Sequence, residues 1–404
     1  MPGVLPDGEP VPRDGALPDA ARSAVGARGF GVYVHVPFCA SRCGYCDFNT
    51  YTASEGVSAD GYPDTVLAEL RLAGRALGEA PPRRVDTVFV GGGTPTLLPP
   101  IELARILDGI DRTWGIAAGA EITTEANPES VTAASLAQLR AAGFTRISLG
   151  MQSAAPHVLA VLDRRHTPGR AAQAAAEARA AGFDHVSLDL IYGTPGETAA
   201  DFAGSLAMAL DAGVDHVSAY ALIVEDGTRL AARMRRGELP YPDDDVAADR
   251  YLAADYTLSG AGFGWYEVSN WARTPPDRCR HNLLYWTGGD WWGLGPGAHS
   301  HVGGVRWWNV KHPNAYAARL AAGESPGHAR ELLTGAERHS EDVLLRLRLA
   351  EGLALSTLDR AGREAALRAL DDGLLDAAAY RESRAVLTLR GRLLADAVVR
   401  DLLP

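Results

Sequence analysis

The segment YVHVPFCASRCGYCDF (33–48) brings three of the chain's four cysteines together directly after a run of alternating valines. Thiolates are soft ligands that suit iron–sulfur clusters and zinc. A structural zinc or a fully ligated [4Fe–4S] cubane takes four protein ligands, whereas Cys39, Cys43 and Cys46 offer three. The spacing therefore predicts either a [4Fe–4S] cluster with one iron open to a small chelating molecule, or a zinc site completed by His35 or His281.

Apolar runs alternate with Ala-rich stretches from the cysteine segment onwards. Each of the first five runs is followed by a stretch long enough for a helix, which predicts parallel βα units. The six predicted strands are GVYVHV (31–36), VDTVFV (85–90), EITTEA (121–126), FTRISLG (144–150), HVSLDLIY (185–192) and HVSAYALI (216–223).

A repeat supports this organisation. AAGFTRISLG (141–150), AAGFDHVSLD (180–189) and DAGVDHVSAY (211–220) align without gaps. Their shared glycine falls where a helix must end, and glycine tolerates the left-handed conformation found there. Repeated helix–glycine–strand units are typical of a barrel-like array.

Composition narrows the function classes. The chain has 404 residues, 47% of them hydrophobic, and a net charge of −11. We see no basic cluster, so nucleic acid is not an expected partner. No apolar run is long enough to span a membrane, and the N-terminal sequence lacks the layout of a secretory signal. We expect a disordered leader over 1–28 and a cytoplasmic location, with peripheral membrane association left open.

Polar and glycine residues follow the predicted strands at the ends where barrels place their functional groups. The glycines of GGGTPT (91–96) let the backbone approach a ligand closely. Arg164 could pair with a ligand carboxylate. The other candidates, in strand order, are Glu125, Gln152, Asp189 and Ala221.

These motifs resemble the radical-SAM superfamily, in which S-adenosylmethionine (SAM) binds the open iron of the cluster. The strings EANPES, SLGMQS, DLIYGTPGET, YEVSNWAR and RHNLLYW extend the resemblance to the oxygen-independent coproporphyrinogen III oxidase family, over about residues 30–400. The resemblance implies a partial TIM-type (β/α)6 barrel over 29–312 and a mostly helical C-terminal domain with a short β-ribbon over 313–404. It also implies SAM contacts at Tyr33, Tyr45, Gly92, Gly93, Thr94, Glu125, Gln152, Arg164, Asp189 and Ala221.

Two features select a branch within this family. The oxidases carry a fourth cysteine two residues after the third, and here that position is Phe48. The stretch HNLLYW (281–286) matches the HNxxYW motif of the HemW-type heme chaperones. This likeness implies heme as a further ligand, heme-accepting proteins as partners and an electron donor for the cluster. The alternative function is SAM-dependent decarboxylation of coproporphyrinogen III.

The aromatic content independently points to a flat ligand. Seven of the eight tryptophans, together with His281, His299 and His301, fall between positions 265 and 308. Aromatic walls suit a porphyrin face, and neutral imidazole is a common axial ligand of heme iron. For His281, an axial role and a structural hydrogen-bonding role remain equally open. Cys279 is either a thiolate ligand or, as its apolar character favours, a buried free thiol.

Overall fold

The computed structural model describes residues 8–78, 84–164 and 167–403. The strands are β1 (Glu9–Pro10), β2 (Phe30–Val36), β3 (Val85–Gly92), β4 (Ile116–Ala126), β5 (Arg146–Gln152), β6 (His185–Tyr192), β7 (His216–Ala221), β8 (Gly264–Glu267), β9 (Asn270–Ala272), β10 (Asp290–Leu294), β11 (His299–Val302), β12 (Val305–Asn309), β13 (Gly327–Leu332), β14 (Leu353–Ala354) and β15 (Arg384–Ala385). The helices are α1 (Asp19–Ala24), α2 (Tyr62–Leu77), α3 (Pro100–Trp114), α4 (Ala133–Ala141), α5 (Pro156–Val161), α6 (Arg170–Ala180), α7 (Ala199–Asp211), α8 (Arg229–Arg235), α9 (Asp244–Gly260), α10 (Arg280–Trp286), α11 (Pro313–Ala321), α12 (Gly335–Arg346), α13 (Arg360–Asp371), α14 (Ala377–Arg381), α15 (Leu389–Leu393) and α16 (Ala395–Leu402).

Strands β2 to β7 form a continuous parallel array in chain order. A helical crossover separates each strand from the next, as parallel pairing requires. The array confirms the predicted partial (β/α)6 barrel. The six predicted strands correspond to β2–β7, and the largest difference is in β4, which begins at Ile116 instead of Glu121.

The helix–glycine–strand repeat is confirmed by the backbone. Gly143, Gly182 and Gly213 follow the last residues of α4, α6 and α7, with φ angles of 106°, 88° and 67°. A side chain at any of these positions would strain the left-handed turn, so each glycine ends its helix. The next strand begins within a few residues, which places the strand starts at one end of the barrel and the strand ends at the other.

Helix α10 closes the end of the barrel where the strands begin. Its residue Leu284 lies so near β2 that a Cβ on Gly31 would meet the leucine Cδ2 at 2.5 Å. The buried pair Arg146–Glu121 lies at the same end, with its Nε and Oε2 atoms 2.9 Å apart. Glycine at position 31 is therefore what allows the helix to approach, and the opposite end of the barrel is left for loops.

Antiparallel strands extend the sheet on both sides of the parallel array. On one side β9 and β8 follow β7, and on the other β10 pairs in parallel with β2 and is followed by β11, β12, β13 and β1. Because β10 runs with β2, the loop after β10 emerges beside the cysteine loop. Gly295 there is so close that an added Cβ would meet the His35 carbonyl oxygen at 2.5 Å.

The N-terminal stretch differs from the predicted disordered leader. Residues 1–7 lie outside the described residues, but β1 pairs with β13, and Glu9 forms an ion pair with Arg330 at 2.7 Å. Leu17 and Ala21 are buried in the main hydrophobic core. The Pro, Gly and Asp content that predicts disorder does not reveal that a few apolar side chains cover the sheet.

A second hydrophobic cluster lies in the C-terminal part, between Val343 and Leu402. Strands β14 and β15 pair as a two-stranded sheet, which is the expected short β-ribbon. Its first strand lies earlier in the chain than the C-terminal tail sequence indicates. Strand β13 still belongs to the main sheet. We therefore retain the two-domain division as a proposal and place its boundary after Leu332, not at 312.

Helices long and apolar enough to cross a membrane are not found among the residues that the structure describes.

Candidate functional site

The cysteine loop leaves β2 at Val36 and is fastened at several points. Cys39 N donates to Tyr51 O at 2.9 Å, and Tyr51 N donates to Pro37 O at 2.7 Å, which closes the loop on itself. Gly44 N donates to Leu162 O at 3.0 Å, so the loop is also tied to the segment after α5. These bonds tie the loop that carries the three cysteines to its neighbours.

Cys39, Cys43 and Cys46 are partly exposed and line a cavity of about 760 Å³ at the end of the barrel where the strands finish. Burial raises the pKa of Cys39 to about 11 and also raises the pKa of Cys46. Such thiols stay protonated in the bare protein, but a coordinating metal ion deprotonates them outright. Three soft donors on one open cavity fit a cluster with a free coordination position.

The alternative zinc site fits less well because its proposed fourth ligands, His35 and His281, are engaged elsewhere. Both ring nitrogens of His281 lie 2.8 Å from side-chain hydroxyls. His35 Nδ1 lies 3.0 Å from the Tyr33 hydroxyl, and His35 Nε2 lies 2.8 Å from Asn49 O. Cys279 is 4% exposed and its Sγ lies 3.6 Å from Glu121 Oε1. The predicted buried free thiol is therefore the role that these contacts favour for Cys279.

The glycine turn after β3 lies directly against the cysteine loop. Gly93 N donates to Val36 O at 2.7 Å, and a Cβ on Gly93 would meet Phe38 O at 2.5 Å and Cys39 Sγ at 3.0 Å. Thr94 N donates to Phe38 O at 2.8 Å. Only a residue without a side chain fits between the strand and the thiol, so the turn leaves its backbone exposed to a ligand of the cavity.

Two carboxyl groups line the same cavity. Glu125 Oε2 accepts a hydrogen bond from Gly92 N at 2.9 Å, and burial together with the nearby Asp189 raises the pKa of Glu125 to about 7. Burial also raises the pKa of Asp189, although hydrogen bonds from Ser218 and Ser148 oppose the change. Two buried carboxyls with raised pKa values would become fully charged when a cationic ligand binds between them.

Arg164 connects the cysteine loop with β5. Its Nη1 atom lies 3.3 Å from Cys43 Sγ and its Nη2 atom donates to Gly150 O at 3.0 Å. A Cβ on Gly150 would lie 2.8 Å from Arg164 Nη2, so a side chain there would displace the guanidinium. Gln152 ends the strand with a φ of 66°, which is unusual for a residue other than glycine and turns the chain over the cavity.

Most of the predicted cofactor residues therefore meet in one place. Tyr33 lies behind the cavity wall, stacked on Phe89 with 6.3 Å between ring centroids. The predicted residues that line the cavity are Cys39, Cys43, Tyr45, Cys46, Gly92, Gly93, Thr94, Glu125, Gln152, Arg164, Asp189 and Ala221.

His281 is placed differently from the prediction of a heme ligand. It is 1% exposed, its Nδ1 atom lies 2.8 Å from the Thr87 hydroxyl and its Nε2 atom lies 2.8 Å from the Tyr285 hydroxyl. Burial lowers its pKa to about 3, so the ring is neutral. Both ring nitrogens are already used, which favours the structural alternative over the axial one.

The predicted aromatic walls are mainly core packing. Trp271, Trp292, Trp307 and Trp308 are at most 6% exposed. His301 Nδ1 lies 3.0 Å from Gly289 O and so also has a structural contact. Of the three histidines in this region, His299 is the exposed one, and it stacks on Trp308.

Sequence reasoning missed two groups of cavity residues. Arg146, His216 and Asn282 form the polar floor, and Leu97 and Ile223 lie at the mouth. The floor residues stand at or near the beginnings of strands or in α10, where a functional group is not expected. The one available signal was Ile223, an apolar residue at the end of a predicted strand, where barrels place their functional groups.

Comparisons with known proteins show which family the chain belongs to. Residues 33–209 match the model of the radical SAM superfamily. The heme chaperone HemW of Mycobacterium tuberculosis is 60% identical over 93% of this chain and 95% of its own length. HemW of Bacillus subtilis is 32% identical over 91% of this chain and 97% of its own. The structure of coproporphyrinogen III oxidase (HemN) from Escherichia coli superposes with a TM-score of 0.80 at 24% identity, covering 95% of this chain and 92% of that one, which is a likeness of fold.

Proposed function

The chain belongs to the heme chaperone HemW family of radical SAM proteins, and on that basis we propose that it binds heme and transfers it to acceptor proteins. The similarity to the M. tuberculosis protein extends over nearly the whole of both chains, and this observation carries the proposal. In this proposal the acceptors are proteins that incorporate heme, a separate reductant serves the cluster, and the protein acts in the cytoplasm.

A [4Fe–4S] cluster on Cys39, Cys43 and Cys46 is part of the proposal. The support is the donor set: Cys39, Cys43 and Cys46 follow one strand and line the cavity, while Cys279, which also lines it, and His35 are each engaged in hydrogen bonds. When bound, such a cluster supplies one-electron chemistry and an open iron for a chelating ligand. Arg164, 3.3 Å from Cys43 Sγ, would offset part of the negative charge that three thiolates bring.

SAM is the ligand that the rest of the cavity suits. Its sulfonium is cationic, and Glu125 and Asp189 place two carboxyl groups in the same cavity. The exposed backbone of Gly92 and Gly93 suits the methionine end, because no side chain stands between that backbone and the ligand. Arg164 can pair with the carboxylate of SAM.

Oxidation of coproporphyrinogen III is the alternative. The HemN likeness at 24% identity extends to the fold alone. The cysteine that follows the cluster ligands in the oxidases is Phe48 here, a side chain that cannot bind metal. We therefore prefer the chaperone function.

Anaerobic reconstitution of the full chain with iron and sulfide tests both functions side by side. The proposal expects about four irons and four sulfides per chain with little zinc, SAM binding by calorimetry, a heme absorption spectrum on titration and transfer of that heme to an apo heme protein. Zinc in place of iron, or no heme spectrum with an intact cluster, would refute the corresponding part. Turnover of coproporphyrinogen III with SAM and a reductant would establish the oxidase instead.

A further inference from the structure

Large apolar side chains at the mouth of the cavity are exposed to solvent and are little covered by the other residues that the structure describes. Phe48 is 62% exposed, Ile223 is 64% exposed and Leu97 is 42% exposed. All three line the cavity, and they follow β2, β7 and β3 respectively. Exposed apolar side chains gathered around a cavity mark a binding surface. We call Phe48, Leu97 and Ile223 the apolar rim.

An aromatic side chain continues this surface below the rim. Tyr220, next to the end of β7, is 42% exposed and lines the cavity. Burial raises the pKa of its hydroxyl, and the nearby Asn270 and Ser218 side chains oppose this change. The ring is therefore part of the cavity surface that a ligand can contact. A flat apolar ligand would therefore meet side chains on several sides and an aromatic ring beneath.

A cationic group stands beside the rim. Arg229 begins α8, a few residues after Ile223, and its guanidinium donates to Arg42 O in the cysteine loop. The side chain is 64% exposed, and its nearest carboxylate, Asp163, is 3.9 Å away. Such a guanidinium can pair with a ligand carboxylate. Asp47 and Glu225 also line the cavity, so an anionic edge would turn towards Arg229 and away from them.

We propose that the apolar rim and Tyr220 form the heme-binding surface, with the porphyrin face across the cavity mouth and the propionates towards Arg229. The inference rests on the proposed heme-binding function and adds the site. Heme is the occupant that these features suit, because it combines a flat apolar face with carboxylates on one edge. His281, the histidine of the HNxxYW motif, is buried with both ring nitrogens engaged and is not the iron ligand in this arrangement.

Heme titration of the reconstituted full chain with SAM present tests the site. The probe is ferric protoporphyrin IX, followed by its absorption band. Phe48→Ser and Ile223→Ser each remove part of an apolar contact, and we expect each to weaken heme affinity about tenfold and the double variant on the order of 100-fold. Ile101→Ser is the matched control, because Ile101 is 66% exposed and lies on α3, away from the cavity lining.

Arg229→Gln tests the orientation of the ligand. We expect about a threefold loss of affinity for heme, since the contact is exposed, and no loss for heme dimethyl ester, which lacks the propionate charges. Thermal unfolding and cluster iron content should be unchanged in every rim variant. These two measurements distinguish a lost contact from a damaged fold.

Each outcome of the titration decides between the two proposals. If the double variant binds heme as tightly as the wild type, the rim is not the heme site, and the proposed chaperone function still stands. Equal loss in Ile101→Ser refutes it as well, because heme would then be adhering to any exposed apolar surface. A variant that binds heme normally but no longer delivers it would make the rim a docking face for the acceptor. Absence of heme binding by the wild type would refute both proposals.

Discussion

The cysteine loop (37–50) and the segment Cys279–Trp286 carry the same kinds of side chain at opposite ends of the barrel. In the loop, three thiols are partly exposed and line the cavity. In the segment, Cys279 also lines the cavity but is only 4% exposed, His281 is 1% exposed, and both have hydrogen-bond partners. Residue type alone cannot distinguish the two. What separates them is which end of the strands they lie at, because loops after strand ends stay open while α10 fills the other end.

The sharpest test of this contrast compares one cysteine from each end. We expect Cys43→Ser to lose nearly all cluster iron after reconstitution, since two thiols cannot hold the cluster, while Cys279→Ser keeps about four irons per chain. A serine at position 279 can still donate a hydrogen bond to Glu121. Iron and sulfide analysis measures both variants. Equal loss of iron would mean that Cys279 reaches the cluster and that the two ends are not separate.

The closed end should respond in stability instead. Arg146 and Glu121 form an ion pair with side chains only 2% and 4% exposed. Glu121→Gln would leave the guanidinium uncompensated in a buried site, and we expect the free energy of unfolding to fall by about 3–5 kcal/mol. Cluster content should be unchanged.

Denaturant unfolding measures this change. Glu364→Gln is the control, because it breaks an ion pair with Arg360 in which the two side chains are 57% and 90% exposed. The control should leave stability unchanged. If Glu121→Gln changed the free energy of unfolding as little as the control does, the buried ion pair would not be what stabilises this end of the barrel.

The same contrast shows which features of the fold and the site could be predicted from the sequence. The parallel strands could be predicted because β6 and its neighbours read as apolar runs bounded by glycines such as Gly182. The cavity set could be predicted because strand ends converge in a barrel. The burial of His281 could not, since it depends on Gly31 admitting α10, a contact between residues far apart in the chain. The ordered structure of residues 8–28 could not be predicted either, because it comes from contacts with β13 and the hydrophobic core.

Replacement of His281 tests the structural role of the HNLLYW stretch. His281→Ala would leave the Thr87 and Tyr285 hydroxyls without their partner, and we expect a loss of about 2–4 kcal/mol of unfolding free energy. The heme spectrum and affinity should stay as in the wild type. His299→Ala is the control, because that histidine is exposed. A heme band that shifts in His281→Ala, measured at a temperature where the variant is folded, would restore the axial role.

The last effect depends on pH and concerns the proton held by Glu267 near the closed end of the barrel. Burial raises the pKa of Glu267 to about 8, against its usual 4.5, although hydrogen bonds from Asn270 and Asn282 oppose the change. Between these values the folded protein keeps a proton that the unfolded chain has released. The contribution of Glu267 to the free energy of unfolding therefore falls as pH rises from about 4.5 to 8, by on the order of 1 kcal/mol per pH unit.

Glu267→Gln should remove this part of the pH dependence, so that the variant gains stability relative to the wild type as pH rises through that window. Unfolding curves at several pH values measure it, with Glu364→Gln as the exposed control. SAM should not alter the effect, because its positive charge would act on Glu125 at the open end, whose own pKa is about 7. A Glu267 effect that disappears when SAM binds would show that the two ends of the barrel are coupled through the cavity.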